Sequence, residues 1–135
     1  MTYDEIKKLV EDNNQSKEFS NEFVICLIWK ETTFDPSSEN IKSSATGLMQ
    51  LTKGAVAMVN KSTPVGVHFE HSEMKNAVKN IQCGTLYLDI AKNKLAGVDI
   101  SFGTGPGYSK TIVACETCLK EDGSHPVIAL HKIHK

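Results

Sequence analysis

The sequence predicts a mainly α protein with a single domain, and three observations support this prediction. Apolar residues recur at the three- and four-residue spacing of amphipathic helices, whereas the alternating pattern of strands is nearly absent. Hydrophobic residues make up 40% and charged residues 23% of the chain, which is the composition of a protein that folds around a core. No repeat, charge block or linker divides the 135 residues, so we expect one domain over residues 1–135.

The first predicted helix begins at a capping box. Thr2 and Glu5 have the spacing at which each side chain bonds the backbone N–H of the other. Ile6, Leu9 and Val10 follow at helical intervals and give this helix one apolar face. We therefore expect a short amphipathic helix at the start of the chain.

The second predicted helix is the buried centre of the fold. It starts near Ser16 or Ser20 and is apolar nearly all round after Phe23, which is typical of a helix enclosed by others. It cannot run far past Thr33, because the residue before Pro36 is kept out of the helical region.

Three more helices are expected after a polar stretch at 37–47, which is typical of a loop or a small hairpin. Thr52 caps the first of them, and Ser72 begins the longest. The segment 103–107 contains too many glycines, whose backbone is conformationally free, to be predicted as regular secondary structure. The expected ranges are 53–60, 72–93 and 109–119.

Charge and hydropathy exclude several classes of partner. The 15 cations, all lysines, face 16 anions, and the guanidinium fork that reads guanine or clamps phosphate is absent. The longest apolar run, Phe23 to Trp29, is far shorter than the roughly 20 residues of a membrane span. Residues 1–14 lack the pattern of a secretory signal peptide. We expect a soluble protein with no nucleic-acid partner, no membrane span and no export by the general route.

Glu31 is the leading candidate for chemistry. It follows the apolar run and shares a helix face with Leu27 and Ile28, so its carboxyl group is expected to be partly desolvated. The negative end of the helix dipole acts in the same direction, and both effects raise the pKa of the carboxyl group. An acid still protonated near neutral pH can donate to a leaving oxygen, as glycosidic bond cleavage requires. The alternative is an exposed glutamate on the last turn of a helix.

Ordered motif blocks surround Glu31. The first are Glu31-Thr32-Thr33-Phe34-Asp35-Pro36 and Ala45-Thr46-Gly47-Leu48-Met49-Gln50-Leu51, and Asn80-Ile81-Gln82-Cys83-Gly84-Thr85-Leu86-Tyr87-Leu88 and Gly105-Pro106-Gly107 follow. Together they resemble the soluble lytic transglycosylase and goose-type lysozyme group. The resemblance implies a lysozyme-like α fold in which Glu31 is the single catalytic acid. Its substrate would be the β-1,4 bond between N-acetylmuramic acid and N-acetylglucosamine in peptidoglycan.

The resemblance also implies a glycan groove. Where the family has Tyr-Asn-Ala, this chain has Phe102-Gly103-Thr104, so substrate alignment would depend on other donors such as Thr104 and Tyr108. Core packing is the alternative role for Leu48 and Met49. The expected substrate-binding residues are Thr32, Gly47, Leu48, Met49, Gln50, Phe102, Thr104 and Tyr108.

A second carboxylate would decide the reaction outcome. An inverting hydrolase needs a base that activates water, whereas a lytic transglycosylase lets the muramyl 6-hydroxyl attack and needs none. Asp35 and Glu39 are the candidates, although a turn role is the alternative for Asp35. The sequence leaves both outcomes open.

The four cysteines allow several arrangements. Cys26, Cys83, Cys115 and Cys118 could form two bridges in three ways or stay reduced. Cys115-x-x-Cys118 with His131 and His134 also approaches a zinc-site spacing, but the helical context and the lack of a basic face disfavour a metal. We expect no metal and no cofactor.

The favoured hypothesis is a peptidoglycan glycoside hydrolase, a muramidase, that acts as an antibacterial effector. By analogy with type VI secretion effectors, such a protein would reach the bacterial periplasm without a signal peptide. Its producer would need a periplasmic immunity protein that blocks the Glu31 cleft. The alternatives are a lytic transglycosylase that gives 1,6-anhydro products, an inactive peptidoglycan-binding module, and a zinc-dependent interaction domain.

Overall fold

Five α-helices form the framework of the protein in the residues that the computed structural model describes, which are 1–94, 108–123 and 126. They are α1 (Tyr3–Asn13), α2 (Asn21–Thr32), α3 (Lys53–Ser62), α4 (Ala77–Lys94) and α5 (Tyr108–Asp122), with a 3-10 turn at His71–Glu73. Within the described ranges, β structure is limited to isolated bridges that pair Thr46 with Glu39 and with Leu51. The mainly α prediction is confirmed.

Side-chain caps begin the first three helices at residues that the sequence predicts. Thr2 Oγ1 accepts from Glu5 N at 3.2 Å and Glu5 Oε1 accepts from Thr2 N at 3.0 Å, which completes the capping box. Ser20 Oγ accepts from Phe23 N at 3.1 Å, so α2 begins at the second of its two expected starts. Thr52 Oγ1 accepts a backbone N–H at 3.1 Å in the same way at the start of α3.

Helix α4 begins at Ala77, and the expected start at Ser72 is wrong. Ser72 lies in the 3-10 turn, which ends at the fully buried Met74. Asn76 supplies a cap instead, because its Oδ1 accepts from Lys79 N at 3.0 Å. Serine and asparagine are equally good caps, so the pattern of apolar residues alone does not choose between them.

Helix α2 is the centre of the core, as its apolar sequence predicts. Every residue from Phe23 to Ile28 is buried. Helices α1 and α5 pack against α2, while α1 and α3 pack against α4. Thr33 ends α2 in the left-handed conformation, with φ 49°, before Pro36. None of the described helices is both long and apolar enough to cross a membrane.

A disulfide ties the central helix to the last described helix. Cys26 of α2 and Cys115 of α5 are fully buried and bonded to each other across 89 residues of sequence. Cys83 is a buried free thiol, and burial raises its pKa to about 12, whereas Cys118 is a half-buried free thiol. The chain therefore has one bridge and two thiols, which differs from both alternatives that the sequence left open, two bridges and four reduced thiols.

The segment between α2 and α3 folds back on itself as a small hairpin, which is one of the two forms expected for it. Asn40 N donates to Ala45 O at 2.8 Å. Thr46 and Leu51 then exchange both of their backbone hydrogen bonds, each at 3.0 Å. This pairing closes a tight turn, the 46–51 loop, that projects against α4.

Gly47 allows the 46–51 loop to approach α4 closely. Its φ is +79°, a conformation that side chains disfavour. A Cβ at this position would lie 2.0 Å from Met74 O and 2.2 Å from Asn80 Nδ2. Backbone oxygen and a buried amide cannot yield by that much, so only glycine fits here.

Cys26→Ser is expected to lower the free energy of unfolding by about 4 kcal/mol, because the bridge closes a long loop in the unfolded chain. Urea denaturation under oxidising conditions measures the change. The control is Cys118→Ser, which removes a free thiol from the same helix as Cys115 and should change stability by less than about 1 kcal/mol. Equal stability of Cys26→Ser and the wild type would contradict the bridge.

Gly47→Ala is expected to lower the free energy of unfolding by roughly 3 kcal/mol or more, since strain and a steric clash add together. Gly66→Ala is the matched control, because Gly66 also has a positive φ, +104°, but no atom lies within 4 Å of the position that its Cβ would take. It should cost only about 1 kcal/mol. Thermal unfolding of both variants compares the two losses, and similar losses would mean that close approach to α4 is unimportant.

Candidate functional site

Glu31 lies on the last turn of α2 and is half-buried. Leu27 and Ile28, one turn earlier on the same face, are almost completely buried. The carboxyl group therefore stands at the boundary between the core and the surface, at the end of the helix where the backbone carbonyls are concentrated. Such a position suits a proton donor that must be partly shielded yet reachable.

Thr32 joins the end of α2 to the 46–51 loop. Its hydroxyl lies 3.1 Å from Ile28 O and 3.0 Å from Leu48 O, and it donates its proton to these carbonyls. The residue is only 7% exposed. The hydroxyl that the sequence assigns to substrate binding is thus engaged in holding the loop next to Glu31.

The 46–51 loop presents Gln50 at the surface and sends its apolar side chains inward. Leu48 and Met49 are fully buried, as the core-packing alternative predicts. Gln50 is half-buried, with φ 51°, and its Nε2 donates to Ser38 O at 3.2 Å and to Gly47 O at 2.9 Å. Both amide hydrogens are thereby used, and the side-chain oxygen is the acceptor that Gln50 offers to a ligand.

Asn80 of α4 holds the same loop from the opposite side. It is fully buried, its Oδ1 accepts from Met49 N at 2.9 Å, and its Nδ2 donates to Thr46 O at 3.0 Å and to Met74 O at 2.8 Å. Asn80 begins one of the motif blocks of the sequence, but no role was predicted for it. The sequence does contain one indication of a role for Asn80, which is a polar amide side chain among the apolar residues of a predicted helix, next to Ile81.

His71 adds another attachment between the 3-10 turn and this hairpin. Its Nε2 lies 2.8 Å from Ser44 O and 3.2 Å from Leu51 O, so it carries a proton that it donates to these carbonyls. This contact was not predicted, because neither spacing nor composition relates a histidine to a carbonyl 27 residues earlier.

The two candidate second carboxylates both have local partners. Asp35 is exposed, and its Oδ1 accepts from the Ser37 hydroxyl at 2.7 Å and from Ser37 N at 2.9 Å. These hydrogen bonds, first the one from the hydroxyl, hold the pKa of Asp35 below its usual value. Glu39 is exposed and pairs with Lys75 at 3.1 Å. Asp35 thus forms the turn that the alternative interpretation predicts, and Glu39 forms a surface ion pair.

Three of the expected groove residues belong to the later part of the chain. Tyr108 is the first residue of α5. Phe102 and Thr104 lie outside the described residues. The glycan contacts expected of these three stay predictions.

The zinc arrangement is contradicted at one of its ligands. Cys115 is bonded to Cys26 and has no thiolate to offer a metal. In the part of the chain that the structure describes, no three His, Cys, Asp or Glu side chains are grouped so that they could hold a metal ion. His131 and His134 lie outside that part.

A known protein family matches most of the chain. The family described as "Transglycosylase SLT domain" matches residues 8–113, which include α2, the 46–51 loop and α4. No curated protein matches the chain.

A solved structure has the same fold. The 70 kDa soluble lytic transglycosylase of Escherichia coli is similar over 96% of this chain, with a TM-score of 0.62 and 19% sequence identity. This chain spans only 21% of the length of that protein. The likeness shows that the protein has a lysozyme-like α fold, which confirms the expected fold class. Because the family match extends over residues 8–113 of 135, the chain belongs to the transglycosylase SLT domain family.

Proposed function

We propose that this protein cleaves the β-1,4 bond between N-acetylmuramic acid and N-acetylglucosamine in peptidoglycan, with Glu31 as the general acid. The observation that carries the proposal is the position of Glu31. It is half-buried at the end of the apolar helix α2, and the adjacent Thr32 binds the 46–51 loop. Family membership supports the same reaction class.

Bond cleavage begins with proton transfer. The Glu31 carboxyl donates its proton to the glycosidic oxygen, the bond from that oxygen to C1 breaks, and positive charge develops on the muramyl ring. Glu31 must carry a proton before this step, and a half-buried position at the carbonyl end of α2 suits that requirement. The carboxylate that remains then stabilises the nearby positive charge.

Glycan binding would use the surface beside Glu31. The Gln50 side-chain oxygen would accept a hydrogen bond from a sugar hydroxyl or an acetamido N–H. Gly47, Leu48 and Met49 are buried and would act by shaping the loop that carries Gln50, and Thr32 would act by positioning this loop. Phe102, Thr104 and Tyr108 would supply further glycan contacts.

Two reactions can complete the cleavage. Water attacks C1 in a hydrolase and passes a proton to a carboxylate, whereas the muramyl 6-hydroxyl attacks C1 in a lytic transglycosylase and passes its proton to Glu31. The local partners of Asp35 and Glu39 favour the second reaction, because Asp35 Oδ1 accepts from Ser37 and Glu39 is paired with Lys75. We therefore retain lytic transglycosylase activity, with 1,6-anhydro products, beside muramidase activity.

The proposed place of action is the bacterial periplasm, with the protein serving as an antibacterial effector. The Cys26–Cys115 disulfide supports an oxidising compartment. A cognate immunity protein that blocks the Glu31 cleft belongs to this proposal. An inactive peptidoglycan-binding module is the remaining alternative, and the following experiment distinguishes it.

Glu31→Gln is expected to reduce release of muropeptides from purified murein by about 100-fold or more, because the amide has no proton to donate to the leaving oxygen. The control is Glu22→Gln, which makes the same change on the first turn of α2. Circular dichroism should show the same helix content in both variants. Equal murein clearing by the Glu31 variant would refute the role of Glu31, and binding without clearing by the wild type would identify a binding module.

Mass spectrometry of the released muropeptides distinguishes the two reactions. We expect 1,6-anhydro ends, and Asp35→Asn and Glu39→Gln should each retain activity within about threefold of the wild type, since a transglycosylase needs no second carboxylate. Reducing ends together with a loss of about 100-fold in either variant would instead assign that residue as the base of a hydrolase.

A further inference from the structure

Asn80 has the features of a residue that acts on the candidate site without touching it. It is a fully buried polar side chain in α4, and its amide reaches three backbone groups outside that helix. We propose that Asn80 is a positioning residue for glycan binding: it places the 46–51 loop, and with it Gln50, relative to Glu31. This inference rests on the proposed function.

The amide binds two residues of the loop at once. Its oxygen accepts from Met49 N at 2.9 Å, while its nitrogen donates to Thr46 O at 3.0 Å. The second amide hydrogen goes to Met74 O at 2.8 Å, which joins the loop to the segment after the 3-10 turn. A side chain with only donors or only acceptors could not make these bonds together, so the arrangement selects an amide.

Two glycines remove the atoms that would keep the loop away from α4. Gly47 brings its backbone against the Asn80 amide, where a Cβ would lie 2.2 Å from Nδ2. Gly84, one turn after Asn80 on the same helix, leaves space for Met49, because a Cβ there would lie 2.4 Å from Met49 Sδ. The loop backbone at Gly47 and the Met49 side chain therefore pack closely against α4.

The attachment from α4 meets a second attachment from α2. Thr32 binds the carbonyl of Leu48, and Asn80 binds the N–H of Met49. These two groups belong to the same peptide unit, so its position is fixed between the helix that carries Glu31 and the helix that carries Asn80. Gln50 is the next residue, and any shift of this peptide moves its side chain relative to the acid.

The decisive variant is Asn80→Asp, which has the same shape and keeps an acceptor for Met49 N. At neutral pH it loses both donors and turns a carboxylate toward two carbonyl oxygens. We expect the KM for soluble glycan strands to rise about 10-fold or more, with a smaller effect on kcat, because the loop is displaced while Glu31 itself is unchanged.

Acidification separates a displaced loop from other effects. The introduced carboxyl group is buried among carbonyls, so it takes up a proton more readily than an exposed aspartate and can then donate one hydrogen bond. Between about pH 7 and pH 5, the KM of the Asn80→Asp variant relative to wild type should fall, whereas that of Asn80→Ala should not. An unchanged ratio for Asn80→Asp would count against the proposal.

Two controls account for chemistry and stability. Gln82→Glu makes the same amide-to-acid change on α4, where the Gln82 amide bonds Asn13 Oδ1 at 3.1 Å instead of the loop. Val10 is a fully buried residue of α1, so Val10→Ala creates a cavity in the core and lowers stability without altering a loop contact. Neither should raise KM more than about twofold when assayed well below its unfolding temperature.

Should Asn80→Asp fail to fold, Gly84→Ala leaves the Asn80 side chain unchanged but displaces Met49, whose N–H is bonded to Asn80 Oδ1, and the same rise in KM is expected. A KM equal to that of the wild type in both Asn80→Asp and Gly84→Ala, or an equal rise in KM in Val10→Ala, would overturn the proposal.

Sedimentation with purified sacculi measures glycan binding separately from the proposed reaction. If the wild type binds murein but does not cleave it, weaker binding by the Asn80→Asp variant still supports positioning, whereas absence of wild-type binding defeats both proposals.

Discussion

The peptide unit between Leu48 and Met49 is the point on which the arrangement of the site depends. Thr32 holds its carbonyl and Asn80 holds its N–H, and both side chains are buried. Hydrogen bonds that are shielded from water are strong and costly to leave unmade. A loop that would otherwise be free to move is therefore set to a fixed distance from Glu31.

Much of the fold follows from local chemistry that the sequence displays. Thr2, Ser20 and Thr52 cap helices because each places a side-chain oxygen over backbone N–H groups within three residues. The burial of α2 follows from its apolar residues on every face. The start of α4 was mispredicted because Ser72 and Asn76 are both capable caps, and the burial of Met74 between them is a tertiary effect.

The site was only partly predictable for a related reason. Glu31 and Gly47 can be identified from the residues next to them in the sequence. Glu31 follows an apolar helix face, and Gly47 lies in a turn. The contacts of Asn80 and His71 join segments that are distant along the chain, and no spacing rule relates them. The pairing of Cys26 with Cys115 is of the same kind, because Cys118 lies one helical turn away and is an equal candidate until the packing of α5 on α2 is known.

The order of the cysteines along the chain has a consequence for biogenesis. If the polypeptide enters an oxidising compartment from its N-terminus, Cys83 becomes exposed to oxidants while Cys115 is still absent, and it is then the first thiol available to Cys26. Native pairing thus requires either that oxidation occurs after α5 has docked, or that thiol–disulfide exchange replaces a Cys26–Cys83 bridge by the Cys26–Cys115 bridge. Docking of α4 protects the outcome, because it buries the Cys83 thiol in the core and keeps it protonated and unreactive.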